Sequence, residues 1–453
     1  MRKEIVAPTL TFRQILLFAF PLALSGIMMN IGQPIINAAM TRLPEPEVTL
    51  AAYGVAYSLA LLLESPVIMI LLTAVALAKD EHSYRVIHRF MMVLCGILTA
   101  LSLFITYTPL SRFLMASLMG VPPHLVEAAL PGLKIFAFWP AVIGWRRFHE
   151  GVLINFGQTG RISIGTGYRL VVIIGLLFFL GLFSPFSGVV IGSLCTMAGV
   201  TFQAFYIHWH VLAIKKEQWD ENRSTVEMEP LTYGKLIRFH LPLVMTSIMR
   251  NLSRPIIIAG IARGQAATLS LAAWPVANNV VSLLISPIGM LQEVSAALVN
   301  DDESLRRVRR FVTLVGFTLL LFLLLLSFTP LVDLLLITVM GVSRALRDIA
   351  LPAVRIMACL PMINALDGLF RGLLSLQKRT QKIQSAMIVN LLSVALIVAL
   401  GVWWGKISGI TIGAIATVAS AIIEALYLWR SALQGVFLEP IRKTTKTPRH
   451  QVY

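Results

Sequence analysis

The run Leu252, Ser253, Arg254, Pro255, Ile256 places an arginine and a proline deep inside an otherwise apolar stretch. A guanidinium in hydrocarbon is costly unless an anion, a carboxylate or water compensates it, so such a residue marks either a structural pair or a ligand site. Arg250 stands four positions earlier, on the same helical face, with Asn251 beside it. Two cations on one face repel unless something negative lies between them, and the guanidinium fork suits phosphate and carboxylate oxygens. Arg254 is farther from the start of its helix and is the stronger ligand candidate.

Other charges follow helical spacing. Arg146 and Glu150 are four apart in WRRFHEG, and Asp367 and Arg371 are four apart in LDGLFRG. Each helix can therefore pair its own charges, with the polarity reversed between them. Their position near one end of their helices suits an inner gate, which Arg147 would join. His149 reads as a satisfied polar residue rather than a proton relay. Glu64 and Glu293 either neutralise the arginines or titrate in coupled movement. Arg355, one turn after Pro352, either joins an anion path or pairs with Asp348. Tyr53 and Tyr57, with Asn278 and Asn279, line a polar cleft or anchor at the membrane interface. The expected binding set is Arg254, Arg250, Arg355, Asn251 and Tyr57. The expected coupling or gating set is Glu64, Glu293, Arg146, Arg147, Glu150, Asp367 and Arg371.

No catalytic pattern accompanies them. The sequence has no Walker A, HExxH or GxSxG motif, and Cys95, Cys195 and Cys359 lack CxxC spacing, so they read as packing residues. The expectation is a protein that is not an enzyme and uses no cofactor or resident metal. A proton or a sodium ion remains open as the coupling ion.

The elements that must position these residues are apolar helices. Of 453 residues, 57% are hydrophobic and 13% charged, with a mean hydropathy of +0.80. A succession of long apolar runs of this kind describes an all-α polytopic membrane protein. The formal charge of +16 sits largely in short connections, which suits the positive-inside rule and not nucleic-acid binding. Twelve transmembrane helices are predicted near 15–41, 49–78, 89–109, 127–150, 165–184, 188–213, 233–259, 267–298, 308–330, 348–372, 382–403 and 408–432. The first is expected to be a retained helix, since no cleavage pattern follows it. These segments define an N-terminal bundle (1–213), a cytoplasmic linker (214–232), a C-terminal bundle (233–432) and a basic tail (433–453). Arg2, Lys3, Arg13, Lys79, Arg85, Arg89, Arg161, Lys215, Lys216, Arg223, Arg306 to Arg310, Lys378, Arg379, Lys382, Arg442, Lys443 and Lys446 fall on one side, the side of both termini. That side is predicted to be cytoplasmic.

The halves are copies. FPLALSG at Phe20 aligns with LPLVMTS at Leu241, LAAY at Leu50 with LAAW at Leu271, TPL at Thr108 with Thr329, and MGV at Met119 with Met340. Pro34, Pro131, Pro140 and Gly151 recur as Pro255, Pro352, Pro361 and Gly372, always 221 positions apart. A constant offset over most of a half indicates duplication. Six helices per half give both copies the same orientation, hence two pseudo-symmetric six-helix bundles around a central cleft. Pro34 and Pro255 should kink or break the first helix of each half. The polar interior is not symmetric: Gln33 corresponds to Arg254, Arg146 to Asp367, and Glu150 to Arg371.

At these motifs the chain resembles the progressive ankylosis protein family, within the multidrug/oligosaccharidyl-lipid/polysaccharide exporter superfamily. The resemblance runs through almost the whole chain and rests on LAAYGVAYSL at Leu50, SRPI at Ser253, WPV at Trp274 and VRI at Val354. It implies two six-helix bundles around a central cavity and export of small anions: inorganic pyrophosphate, nucleoside triphosphate or citrate. It places Arg254, Arg355 and Tyr57 at matching positions. RFHEG at Arg147 to Gly151 departs from the small-residue THAG of the vertebrate-type proteins, which puts the gate and the cargo in question.

The expected function is a secondary transporter exporting a small polyanion by alternating access, working as a monomer in the lipid bilayer of the cell (inner) membrane. The alternatives are a cation-coupled multidrug exporter, a flippase of a lipid-linked anionic precursor, and a non-transporting membrane regulator with fully paired arginines.

Overall fold

The structure, a computed structural model, describes residues 11–78, 80–221, 231–299, 301–377 and 379–438. Of the sequence expectations, Arg2, Lys3, Lys79, Arg223, Lys378 and the tail from 439 lie outside the described residues, as do the side chains of Lys215 and Lys216.

In the first half α1 (Phe12–Asn30) and α2 (Gly32–Met40) form one rod interrupted at Ile31. They are followed by α3 (Pro46–Leu63), the short α4 (Ser65–Ile68) and α5 (Ile70–Leu77), and then by α6 (Glu81–Tyr107). A π-helical turn, Phe113–Leu118, leads to α7 (Pro123–Phe136), α8 (Trp139–Asn155), α9 (Thr159–Phe183) and α10 (Gly188–Glu221). The second half repeats the order with α11 (Tyr233–Arg263), α12 (Ala267–Ile285), a 3-10 turn at Ser286–Met290, α13 (Leu291–Leu298) and α14 (Asp302–Phe328). A second π-helical turn, Leu334–Val339, precedes α15 (Arg344–Met357), α16 (Leu360–Leu376), α17 (Thr380–Trp404) and α18 (Gly409–Leu438).

Local chemistry repeats with the elements. Asp80 caps α6 and Asp301 caps α14, each in a capping box with the serine three residues on, Ser83 and Ser304. The two first-helix prolines behave differently. Pro34 sits in the first turn of the restarted α2, where its missing N–H costs nothing, whereas Pro255 lies inside the continuous α11. Of the expected kink or break, a break occurs in the first half, while Pro255 lies within an unbroken helix.

Among the described residues, nine helices are long and apolar enough to cross a membrane, or ten if α7 and α8, bent by 41°, form one span. The segments expected at 15–41 and 233–259 are helical but outside that set; α11 carries Arg238, His240, Arg250, Asn251 and Arg254, which dilute its apolarity. Helix α10 runs to Glu221, into the stretch expected to be linker. Lipid-facing helices are recognisable by what they leave uncovered: 11% of the apolar window of α9 is buried, against 61% in α3.

The first half packs through α3 on α7, α8 on α5, α6 and α10, and α9 on α10; the second through α12 on α15, α14 on α16, and α17 on α11 and α18. The halves meet along α3 and α12. Near the termini the first helix of each half crosses to the other. Helix α1 packs on the Ser286–Met290 turn, and α11 on α4 and α5. His240 shares a hydrogen bond with Thr73 at 2.8 Å, and Asn251 donates to Ser65 Oγ at 3.0 Å.

At the opposite, terminus-distal face the halves are joined by two equivalent contacts. Arg263, at the end of α11, donates to the carbonyls of Leu118 (2.6 Å), Met119 (2.7 Å) and Ser117 (3.2 Å), where the first π-helical turn ends. Arg42, 221 positions earlier, donates to Val339 O (2.7 Å) and Met340 O (3.4 Å) at the end of the second. Thr41 donates to Met340 O as well. Unsatisfied carbonyls at a helix C-terminus favour a cation. Gly120 and Gly341 follow with φ of 70° and 69°, and each lies against the arginine of the other half. That accounts for the repeated MGV: the glycine accepts a left-handed backbone and leaves room for the guanidinium.

Candidate functional site

Between the halves lies a cavity of about 290 Å³ lined by Gln33, Asn37, Tyr57, Arg254, Asn278 and Asn279, among others. Along α11 the positions Arg254, Ile257 and Ile258 face it, while Leu252, Pro255, Ile256 and Ala259 face a separate apolar groove. This is the three-and-four spacing of helical faces. Arg254 is exposed into the cavity and, among the described residues, makes no ion pair or hydrogen bond with another side chain. Its duplicate Gln33 lines the same space, so the asymmetry read from sequence falls on the axis between the halves. Asn37 Oδ1 and Asn279 Nδ2 are buried there without a partner.

A second cavity of about 240 Å³ lies in the first half, lined by Glu64, Trp139, Arg146, Arg147 and Arg169. The two cavities share Gln33, Tyr57 and Leu61 as a common wall. Tyr57 is held by rings: Tyr53 stacks on it at 5.7 Å, with Phe136 at 5.8 Å and Trp139 at 6.1 Å. The Tyr53 hydroxyl joins Thr196 Oγ1 at 2.9 Å and donates to Gln33 Oε1 at 3.2 Å. Glu64, 4% exposed, accepts the indole N–H of Trp139.

The charged ends of α8 and α16 are equivalent and differently occupied. In the first half Glu150 is shared by Arg146 at 3.5 Å and Arg147 at 3.1 Å, and Arg146 also donates to Gln203 Oε1 at 3.1 Å. In the second, Arg371 bonds Asp367 at 2.8 Å and also Glu424. Gln203 and Glu424 are themselves 221 positions apart, so one three-cornered arrangement exists twice with its polarity changed. Arg250 lies within electrostatic reach of Arg371, Glu424 and Asp367.

The sequence-derived residues thus divide. Arg254 and Tyr57 meet at the central cavity, and Glu64, Arg146 and Arg147 gather behind Tyr57. Asn251 is taken by Ser65, and Arg250, exposed, lines neither cavity and, among the described residues, makes no ion pair, although it lies within electrostatic reach of the Arg371 cluster. Arg355 lines neither cavity. It donates to Ser327 O at 3.1 Å and lies over the Phe328 ring at 4.6 Å, while Asp348 pairs with Arg347. Glu293 is exposed and lines neither cavity. His149 is buried, sharing one ring nitrogen with Trp145 O and the other with His208 Nδ1 at 2.9 Å. Sequence reasoning missed Arg169, Gln203 and Glu424. Extending the 221 offset past α8 and α16 pairs Gln203 with Glu424; no comparable signal marks Arg169, whose duplicate is Asn390. Among the described residues no group of His, Cys, Asp and Glu is arranged to hold a metal ion.

Several solved structures share this architecture. The chain is similar to an inward-facing multidrug resistance MATE family transporter of the MOP superfamily, with TM-score 0.65, 14% identity, and coverage of 98% of both chains. It is similar also to a MOP superfamily transporter from Pyrococcus furiosus, described as having a binding pocket of reversed polarity, with TM-score 0.62, 15% identity, and coverage of 97% of this chain and 100% of that one. The lipid II flippase MurJ in an inward closed conformation aligns with TM-score 0.66 and 15% identity, over 93% of this chain and 89% of its own. No curated protein matches the chain. The family model described as progressive ankylosis protein (ANKH) matches residues 3–202 and 226–410. With two duplicated bundles, a cleft between them and a match spanning both halves, the chain belongs to the progressive ankylosis protein family and has the fold of the MATE/MOP-superfamily transporters.

Proposed function

We propose that this chain is a secondary transporter that exports a small polyanion, such as pyrophosphate, a nucleotide or a citrate-like carboxylate, by alternating access through the central cavity. The observation that carries the reading is Arg254: a guanidinium presented to the central cavity with, among the described residues, no carboxylate paired to it. In a membrane interior such a group is retained when a ligand supplies the missing charge. The termini lie on the cytoplasmic side of the cell membrane, so the contacts of Arg42 and Arg263 close the external face. One chain supplies both walls of the cavity and works as a monomer. The paired charges of α8 and α16 hold each bundle rigid.

Flux into proteoliposomes tests this. Labelled pyrophosphate, ATP and citrate are compared for wild type and Arg254→Ala, with and without a proton or sodium gradient. Transport of at least one anion, reduced at least tenfold by the substitution, supports the reading, and the gradient dependence names the coupling ion. No flux of any of the three through folded wild type removes it.

One observation favours a second reading. The groove beside Leu252, Pro255 and Ile256 has a volume of about 660 Å³, is lined almost wholly by apolar residues, and carries Trp403, 85% exposed. A lipid tail would fit there while an anionic headgroup met Arg254, as a flippase requires. Scrambling of a fluorescent diphosphate-bearing lipid, without flux of the soluble anions, would select this reading.

A further inference from the structure

Several polar side chains around the central cavity are satisfied where they stand. The hydroxyls of Ser58 and Thr417 each donate to a backbone carbonyl of their own helix at 2.8 Å, and that of Tyr53 joins Thr196 and Gln33. Asn37 and Asn279 differ. Both line the cavity, Asn37 is 2% and Asn279 7% exposed, and among the described residues neither side-chain amide makes a hydrogen bond; Asn37 Oδ1 and Asn279 Nδ2 are buried without a partner. Burying an amide without a compensating bond is costly, and native proteins keep few such groups. The two come from opposite walls: Asn37 lies one turn beyond Gln33 on α2, and Asn279 lies on α12, against which α2 packs. Their duplicates, 221 positions away, are Ile258 and Ser58. The shared bundle therefore folds with no amide at either place, and the fold alone does not account for keeping them.

We infer that Asn37 and Asn279 read a hydroxyl on the cargo, so that the central cavity takes an organic anion with an uncharged hydroxyl beside its charged group, and not a bare polyanion. This rests on the anion-transport reading and narrows it. An amide oxygen has to be met by a donor and an amide N–H by an acceptor. A hydroxyl supplies both, whereas a fully ionised phosphate or carboxylate supplies acceptors only. Arg254 holds the charged end. The duplication puts Gln33 at the level of Arg254, and Asn37 follows one turn farther along, about 6 Å between Cβ atoms, a span that the carboxylate and hydroxyl of a short-chain hydroxy acid can bridge. Because one amide belongs to each half, the same hydroxyl links the two walls, and a cargo without it leaves both amides unpaired at once.

Calorimetric titration of the purified, detergent-solubilised full chain with malate and succinate, which differ by one hydroxyl, tests the assignment, with pyrophosphate as the anion that has no carbon chain. The tighter-binding enantiomer of malate should exceed succinate in affinity at least about tenfold, because the analogue without the hydroxyl leaves buried polar groups unpaired. Asn37→Leu and Asn279→Leu should each collapse that ratio toward one by lowering the affinity for malate, while measurable succinate binding reports that the variant is folded. Arg254→Gln should weaken both ligands by similar factors, and Arg355→Gln, outside both cavities, should keep the ratio within about twofold of wild type. If wild type binds malate and succinate equally and Arg254→Gln loses both, water fills the amides, the hydroxyl assignment is refuted and the transport reading stands. The same holds if pyrophosphate binds and neither dicarboxylate does. Asparagine variants that lower malate and succinate alike refute the assignment too. If folded wild type binds none of the three, the assignment falls, and flux of labelled pyrophosphate, ATP and citrate decides the transport reading separately.

Discussion

Removing the two arginines that join the halves at the terminus-distal face should open that face. Arg263 makes two short bonds to carbonyls of the other half, at 2.6 and 2.7 Å, and a longer one; Arg42 makes one short bond, at 2.7 Å, and a longer one. Hydrogen bonds from charged donors contribute about 1.5–3 kcal/mol when buried, but both arginines are exposed, so about 1 kcal/mol per short bond is the appropriate scale. Arg263→Ala then costs the closed state about 2 kcal/mol and Arg42→Ala about 1 kcal/mol. The double variant shifts the open-to-closed ratio roughly a hundredfold, because each 1.4 kcal/mol is a factor of ten. Spin labels at Glu127→Cys and Asp348→Cys, exposed equivalent positions on the two halves, report the gap by pulsed dipolar spectroscopy once Cys95, Cys195 and Cys359 are replaced. A longer-distance population should grow from the Arg42 variant to the Arg263 variant to the double variant. Arg263→Lys should fall between wild type and Arg263→Ala, because an ammonium lacks the planar fork. An unchanged distance distribution in the double variant refutes the reasoning.

Gly120→Ala forces a side chain onto a φ of 70° and against Arg263, so the first π-helical turn and its contact should weaken together. The expected loss is about 1–2 kcal/mol, visible as a lower midpoint of thermal unfolding and in the same distance distribution. Arg371→Ala leaves Asp367 and Glu424 buried without their cation and should destabilise the second half by about 3–5 kcal/mol, far more than Arg355→Ala; unfolding in detergent ranks the two. Tyr53→Phe removes the hydroxyl that ties Thr196 and Gln33 together, for about 1 kcal/mol of stability with the ring stack intact, which urea unfolding can measure.

Much of this architecture is legible before any coordinates. The 221-residue offset gives two copies of one bundle, and because the offset also exposes mismatches, it marks Gln33 and Arg254 as the asymmetric pair facing the axis. Spacing along a helix correctly brought Arg146 to Glu150 and Asp367 to Arg371, since those contacts lie within one turn. It failed where the partner lies on another helix. Nothing in the spacing says that Arg254 lines the cavity while Arg250 does not, although both ride the same helix. Arg355 looked like a site residue because it is a charge in an apolar segment, yet a backbone carbonyl and an aromatic ring satisfy it locally. Glu293 shows the same limit: apolar neighbours in sequence do not say which way a carboxylate points.

The contacts of Arg42 and Arg263 also carry a history. Each runs from one half to the backbone of the other, at equivalent positions in both directions. Two separate copies of a single half, facing each other about a twofold axis, would form both without any change of residue, since carbonyls are present whatever the side chain. That closure needs no gene fusion. The pairing of Gln33 with Arg254 does, because identical subunits cannot place glutamine on one side of the axis and arginine on the other. An engineered half-length chain should therefore dimerise with its distal face joined, while lacking the polar difference that lets the fused protein treat its two walls unequally.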